Sequence, residues 1–439
     1  MLKSLVEGLT NIFKIPELKT KVLFTLGMIL VYRIGCHVPT PGVDAAVLAA
    51  AMKTQAGGVL GFLDLFSGGA FNKFSVFALG IMPYISTSII MQLLQAVIPS
   101  LEKLAKEGEA GKKKITQYTR YGTVLICIVQ GSAMTYFMHS AIPGAVKNWG
   151  LSFQLTTIIT LTAGTIFIMW LGEKMTEKGI GNGMSMIIFA GIVARIPIEI
   201  INTGSMIRAG ALNAVWVVPV IVGMVALVGF VVLISTGARR IPVQYAQRVV
   251  GRRVYGGQST YLPLKVDFSG VIAIIFASSI LSVPAMILQS FSVNIPWLAM
   301  IGNWFSPGQA VYSVLYALLI IFFCYFYTAV VFNPPDIAEN IKKYGGFIPG
   351  VRPGEPTAQF INYSLTRVTL VGALAIVVIA LIPDLSMRVM NIPFYFGGTS
   401  LLITVGVALD TMKQIESHLL MRNYEGFMKD SKLKSRAGF

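Results

Sequence analysis

The chain has 439 residues, of which 55% are hydrophobic and 12% charged, with a mean hydropathy of +0.72. Soluble domains are about a quarter charged, so an ordinary water-facing surface is excluded and lipid is the main solvent. The net charge of +16, from 35 Lys and Arg against 19 Asp and Glu, favours acidic lipid headgroups, RNA or acidic protein surfaces.

One apolar crossing takes about 20 residues. Ten such spans are predicted, near 20–37, 74–98, 119–139, 153–172, 183–202, 213–236, 269–289, 309–332, 365–383 and 395–412. An amphipathic stretch (Leu5, Leu9, Ile12, Phe13) precedes the first. It does not read as a cleavable signal, because no small-residue cleavage site follows the apolar run. Arg33 falls inside span one near its outer end, where its stem allows it to snorkel.

Residues 60–73, LGFLDLFSGGAFNK, are apolar but too short to span, and they carry Asp64, Gly68, Gly69, Asn72 and Lys73. Irregular backbone at membrane depth survives only when buried in protein or facing a water-filled cavity. The segment reads either as a short re-entrant, plug-like helix or as an ordinary outer loop. Helix-disturbing residues follow: Gly80 and Pro83 in span two, Pro219 in span six, Pro284 in span seven. Small residues recur at Ser86, Thr87, Ser88, Ser278, Ser279, Gly397, Gly398 and Thr399. Tight packing in lipid uses such residues, and so would a seam that opens.

Two loops stand out between spans. RRIPVQYAQRVVGRRVYGGQSTYLPLK, from Arg239 to Lys265, is basic and extended-looking. NPPDIAENIKKYGGFIPGVRPGEPT opens a second, from Asn333 to about Asn362. They suit a docking platform on one face of the membrane. Ten spans put both termini on one side, with the loops at 99–118, 173–182, 237–268 and 333–364. That side carries about 28 of the 35 Lys and Arg, so the positive-inside rule places both termini in the cytoplasm. The spans divide five and five, as 1–205 and 206–439. Halves with an odd span number must be inverted relative to each other, and functional sites of such repeats lie where the halves meet.

Enzyme motifs are missing. There is no GxxxxGK[ST] phosphate loop, no HExxH and no GxSxG. GIGNG, from Gly179 to Gly183, precedes a membrane span and not a dinucleotide-binding helix. Cys36, Cys127 and Cys324 form no CxxC pair, and His37, His139 and His418 are scattered, so no metal site and no cofactor is expected. The predicted spans hold no Asp or Glu near their centres, which argues against ion coupling through a carboxylate.

Six segments in order resemble the bacterial SecY family of Sec protein-conducting channels. They are FALGIMPYISTSIIMQLL (Phe77 to Leu94), KITQYTRYGT (Lys114 to Thr123), MWLGEKMTEKGIGNGMSMIIFAGIVA (Met169 to Ala194), RRIPVQYAQR with GRRVYGGQSTYLPLKV, FNPPDIAENIKKYGGFIPGVRPG, and PFYFGGTSLLI (Pro393 to Ile403). The resemblance implies an all-α membrane fold of ten helices in two inverted five-helix halves, a clamshell with a short re-entrant plug helix. It implies a protein-conducting channel that passes unfolded secretory polypeptides and releases transmembrane segments sideways into lipid, and no enzyme.

By the same resemblance, the waist of the pore falls on Ile81, Ile85, Met184, Ile188, Ile275 and Ile403. A narrow apolar constriction blocks ions by dewetting, and uncharged side chains close around a passing chain without selecting its sequence. Taken singly, each of these residues reads first as an ordinary lipid-facing or packing side chain, and only the resemblance lifts the six above that. Met184 stands where many relatives have isoleucine, and Ala273 where many have proline. The plug is expected at Leu60, Phe62, Asp64, Leu65, Phe66, Gly68, Gly69 and Phe71, with Asp64 and Lys73 in a wet outer cavity. A lateral gate is implied between spans two and three on one side and seven and eight on the other, with Ser86, Gln92, Gln130, Ser278 and Ser279 as polar candidates.

Arg239, Arg240, Arg252, Arg253 and Arg352 match the family's basic docking positions. Arginine suits bidentate contact with carboxylate and phosphate. The partners implied are SecE, SecG, the ATPase SecA and a translating ribosome, with ribosomal RNA contact through the basic loops. Unfolded preproteins and signal peptides are the implied substrates, and the implied location is the bacterial plasma (inner) membrane. Lys103, Lys106, Lys112, Lys113 and Lys114 read as topology signals. A secondary transporter for a small solute, with the same inverted repeats, is the alternative. An ion channel is a further one, without a charged or carbonyl-lined filter in the sequence.

Overall fold

A computed structural model describes residues 15–44, 47–48, 64, 67–142, 144–208, 217–245, 248–250, 253–255, 259–292, 302, 304–305, 309–390 and 398–430. They belong to two compact units, Met1–Ile196 with Val407–Phe439, and Pro197–Gly406.

The first unit begins with α1 (Pro16–Gly35), which has Pro at its start, Glu17 in its first turn and Arg33 in its last. Those positions suit a helix on both steric and dipole grounds. Next come α2 (Met82–Val97) and α3 (Pro99–Lys106), bent by 102° at Ile98. Pro99 removes the amide that would continue the ladder. The long α4 (Glu109–Ala141) and α5 (Leu151–Lys178) follow, then α6 (Gly183–Val193). Helix α4 packs between α2 and α5, and α5 also meets α1 and α6. A core of Phe71, Phe74, Leu79, Cys127, Met134 and Leu161 ties the stretch before α2 to α4 and α5.

Span two was expected from residue 74, but its helix starts at Met82. Phe74 and Gly80 have positive φ (43° and 58°), a left-handed backbone that interrupts a helix, and Pro83 occupies the first turn of α2. Residues 68–74 and 76–81 form turns instead, with Ser75 bridged to Pro39 between them.

The second unit contains α7 (Ile196–Arg208), α8 (Val217–Thr236), β1 (Ala238–Tyr245), β2 (Arg248–Val250), β3 (Arg253–Tyr255) and β4 (Ser259–Lys265). Then come α9 (Val271–Ser292), α10 (Ala310–Val331), α11 (Pro334–Lys343), β5 (Gly346–Phe347) and α12 (Glu355–Met390). Helix α10 packs against α9 and α12. The last helix, α13 (Gly398–Asp430), contributes residues to both units.

The expected helical fold is found, and among the described residues short strands occur only in its two long loops. Both long loops fold into an antiparallel sheet of order β4-β1-β5, and β2 pairs with β3 as a separate hairpin. The signal was present as alternation: Ile241 and Val243 turn inward onto Leu264, Ile348, Ile361 and Leu365, while Arg240, Pro242 and Gln244 face out.

Each predicted span overlaps a helix. Among the described residues, five helices are long and apolar enough to cross a bilayer, or six if the bent pair α2–α3 is one span. Hydroxyls in the apolar helices mostly bond their own backbone one turn back. Thr87 Oγ1 donates to Pro83 O (2.8 Å), Thr123 Oγ1 to Thr119 O (2.7 Å), Thr328 Oγ1 to Cys324 O (2.7 Å) and Thr404 Oγ1 to Ser400 O (2.7 Å).

Candidate functional site

The expected waist residues sit on four elements. In the first unit Ile81 ends the turn segment before α2, and Ile85 lies one turn into it; the Ile85 N–H donates to Ile81 O at 3.1 Å. Met184 and Ile188 share one face of α6 at i and i+4. In the second unit Ile275 lies on α9 and Ile403 on α13. All are buried except Met184, which is half-buried. None carries a nitrogen or oxygen atom in its side chain, so these side chains make mainly dispersion contacts.

Helix α6 owes its position to the GIGNG turn. Its cap is Asn182, whose Oδ1 accepts from the N–H groups of Met184 (3.0 Å) and Ser185 (3.3 Å). Thr176 Oγ1 accepts from the Gly183 N–H (2.8 Å) and donates to Gly172 O (2.9 Å). Thr25 Oγ1 on α1 accepts from the Ile180 N–H (3.1 Å), and Gln414 Oε1 on α13 accepts from the Gly181 N–H (2.8 Å). Gly181 needs its positive φ of 82°, and Gly183 has no room for a Cβ against Gly172 O. These amides are satisfied by protein, and the glycines serve close packing of helices.

Of the expected plug residues, Leu60, Phe62, Leu65 and Phe66 lie outside the described residues, while Asp64, Gly68, Gly69 and Phe71 are inside them. The expectation of a wet site for Asp64 is corrected. Asp64 is 1% exposed, whereas Lys73 is exposed. Arg195 Nη1, just past α6, lies 2.7 Å from Asp64 Oδ2. The Asn72 N–H donates to Oδ1 (2.9 Å) and Asn72 Nδ2 to Oδ2 (2.6 Å). A buried carboxylate is tolerable only when paired and hydrogen-bonded in this way.

Two neighbouring donors on α1 hold the same segment. Tyr32 OH donates to Ser67 O (3.0 Å) and Arg33 Nη1 to Gly68 O (2.8 Å), so Arg33 bonds protein where snorkelling was expected. Gly68 has φ 66°, and a Cβ there would stand 2.7 Å from Gly191 Cα, which marks close backbone approach to α6. Sequence reasoning missed Arg195 and Asn72 as partners of Asp64. The available signal was two arginines at the ends of apolar runs facing a lone acid between spans.

The lateral-gate candidates are spread over three helices. On α2, Ser86 is buried, with no hydrogen-bond partner for its Oγ among the described residues, and Gln92 Nε2 donates to Ser88 Oγ (3.3 Å). Gln130 is buried on α4. On α9, Ser278 Oγ donates to Ile275 O (2.9 Å), and Ser279 O accepts from Ser282 Oγ (3.1 Å).

Of the candidate docking arginines, Arg239 and Arg240 are exposed on β1, opposite Leu264 and Pro263 of β4. Arg253 lies in β3 opposite Val250, and Arg352 is exposed beside the start of α12. Arg252 lies outside the described residues. No cluster of three metal-ligating side chains occurs among the described residues.

The sequence model of the SecY family matches residues 75–412. The protein translocase subunit SecY of Escherichia coli K12 is 50% identical over 422 residues, covering 95% of each chain. Among solved structures, the fold is similar at TM-score 0.66 and 18% identity to a SecY protein whose plug domain is described as stabilising the closed state of the translocation channel. That match covers 96% of this chain and 98% of the other. It is also similar, at TM-score 0.62 and 17% identity with 95% of each chain covered, to Sec61 in the canine ribosome–channel complex from the endoplasmic reticulum.

Proposed function

The chain belongs to the SecY family, and from that membership we propose that it forms the protein-conducting channel of a protein translocase. It is a multi-pass membrane protein and not an enzyme. One observation carries the reading: half its residues are shared with a translocase subunit over 95% of both chains. The small-solute transporter is not favoured against that identity.

In this reading ten helices form two inverted halves, 1–205 and 206–439, in the bacterial inner membrane with both termini cytoplasmic. Ile81, Ile85, Met184, Ile188, Ile275 and Ile403 form the waist, and their burial and lack of polar atoms support it. Dewetting there blocks ions while an unfolded chain, which needs only apolar contact, passes. The segment at 60–73 stoppers the idle pore. Apolar segments leave through a gate bearing Ser86, Gln92, Gln130, Ser278 and Ser279, driven by burial in lipid.

Arg239, Arg240, Arg252, Arg253 and Arg352 receive the SecA motor or a ribosome, and SecE and SecG complete the complex. Exposure of Arg239, Arg240 and Arg352 supports a docking role.

The test is photo-crosslinking from probes at Ile188 and Ile403, with a precursor stalled in transit by a folded C-terminal domain. Crosslinks from both sites that need ATP and the motor are expected. Their absence, while protease protection shows the precursor crossed, would overturn the waist assignment.

A further inference from the structure

The sheet β4-β1-β5 buries one face on Ile348, Ile361 and Leu365, yet its other face is not polar. An antiparallel sheet with one buried face ordinarily turns polar residues outward. The register sets Tyr261 opposite Pro242, Pro263 opposite Arg240, Lys265 opposite Ala238 and Phe347 opposite Gln244, so these side chains share the outward face. Tyr261 is 56% and Phe347 37% exposed, and Pro242 and Pro263 are exposed with them. This apolar group adjoins two exposed cations, Arg240 and Lys265, and residues 238–265 contain no Asp or Glu. The prolines also blunt strand pairing. Pro242 lies beyond the pairing of β1 with β5, where that side of β1 is open, and Pro263 lies on the outer strand β4. A partner is thus offered the face and not an edge.

We propose that this face is the apolar centre of the docking platform and takes the protein motor rather than RNA. An apolar side chain of the motor sits over Pro242, between the rings of Tyr261 and Phe347, and its carboxylates meet Arg240 and Lys265. The proposal deepens the docking reading above and rests on it. Protein interfaces concentrate binding on aromatic and arginine anchors, and this face supplies both. RNA is held chiefly through phosphates, which need several cations and gain nothing from proline or phenylalanine. The arginines then steer the encounter, while the rings hold the complex once it has formed.

The experiment follows association and dissociation of purified SecA on the complete translocase in nanodiscs, across a salt series. Tyr261→Ser and Phe347→Ser each raise the dissociation rate about tenfold. Both leave the association rate within about twofold and keep the salt slope of the parent, because no charge is removed. Tyr261→Phe retains the ring and stays near the parent, which guards against a fold defect in Tyr261→Ser. Idle ribosomes bind the parent and the variants alike. Unchanged SecA dissociation in both serine variants, an altered salt slope, or a loss as large in Tyr261→Phe would overturn the proposal. A loss confined to ribosomes would overturn it too, and would assign the face to the ribosome. A parent that binds SecA no better than the serine variants refutes the apolar centre alone. A parent that binds neither SecA nor ribosomes refutes the docking reading together with it.

Discussion

Replacing Gly183 by alanine tests whether the GIGNG turn sets the position of α6. The added methyl falls on Gly172 O, well inside the 3.0 Å that real Cβ atoms keep, and 2.7 Å from Met175 Cβ. The oxygen belongs to helical backbone of α5 and cannot rotate away, so α6 must retreat by about 1 Å. Overpacking of that kind costs ~1–3 kcal/mol. The same retreat stretches the 2.8 Å bond from the Gly183 N–H to Thr176 Oγ1, worth ~1 kcal/mol net. A total of ~2–4 kcal/mol lowers the midpoint of thermal unfolding by about 2–4 °C in a chain of this length. The assay is fluorescence-detected gel filtration of the detergent-solubilised complex after heating. Gly27→Ala is the control, an equivalent exchange on α1 with nothing within 4 Å of the new methyl. A Gly183→Ala midpoint within about 1 °C of the parent would refute the packing argument.

Thr25→Val leaves the Ile180 N–H without its acceptor and destabilises by ~1–3 kcal/mol, whereas Thr25→Ser retains the bond; the same heating assay separates them. Cys36, Cys127 and Cys324 are free and buried, so maleimide in native membranes leaves all of them unlabelled and reaches three per chain after unfolding in SDS. Arg120 and Glu173 make a two-pronged pair at 2.6 and 3.1 Å, but their side chains are 47% and 22% exposed. A double-mutant cycle there gives at most about 1 kcal/mol and falls with salt. Charge reversal of Arg239 and Arg240 weakens motor binding and flattens its salt dependence, read by equilibrium binding across a salt series; an unchanged salt slope would remove these arginines from the docking surface.

The helices were legible because lipid imposes long apolar runs, and runs of that length survive uncertainty at their ends. The start of α2 was not legible, because the left-handed turns at Phe74 and Gly80 lie inside an apolar stretch that hydropathy alone continues. The sheet was half legible: the loop from Arg239 reads as extended, yet pairing of β1 with β5 joins residues about a hundred positions apart. The candidate waist came from resemblance alone, since an isoleucine in a membrane helix says nothing by itself. The Asp64 network was hidden for a different reason. A search for acids at the centres of spans passes over one that lies between spans and reaches its arginine only through folding.

The hydroxyls of Thr87, Thr123, Ser278, Thr328 and Thr404 all donate to carbonyls three or four residues back on their own helices. A helix built this way carries its polar bonding with it as it travels. When it slides or tilts against a neighbour, these donors are not stranded in lipid, and the neighbour forfeits no partner. What such a rearrangement costs is then mostly dispersion contact, which is individually weak and is regained wherever apolar surfaces meet again. Such helices keep their polar bonding internal, which allows a bundle to change shape without stranding a donor in lipid.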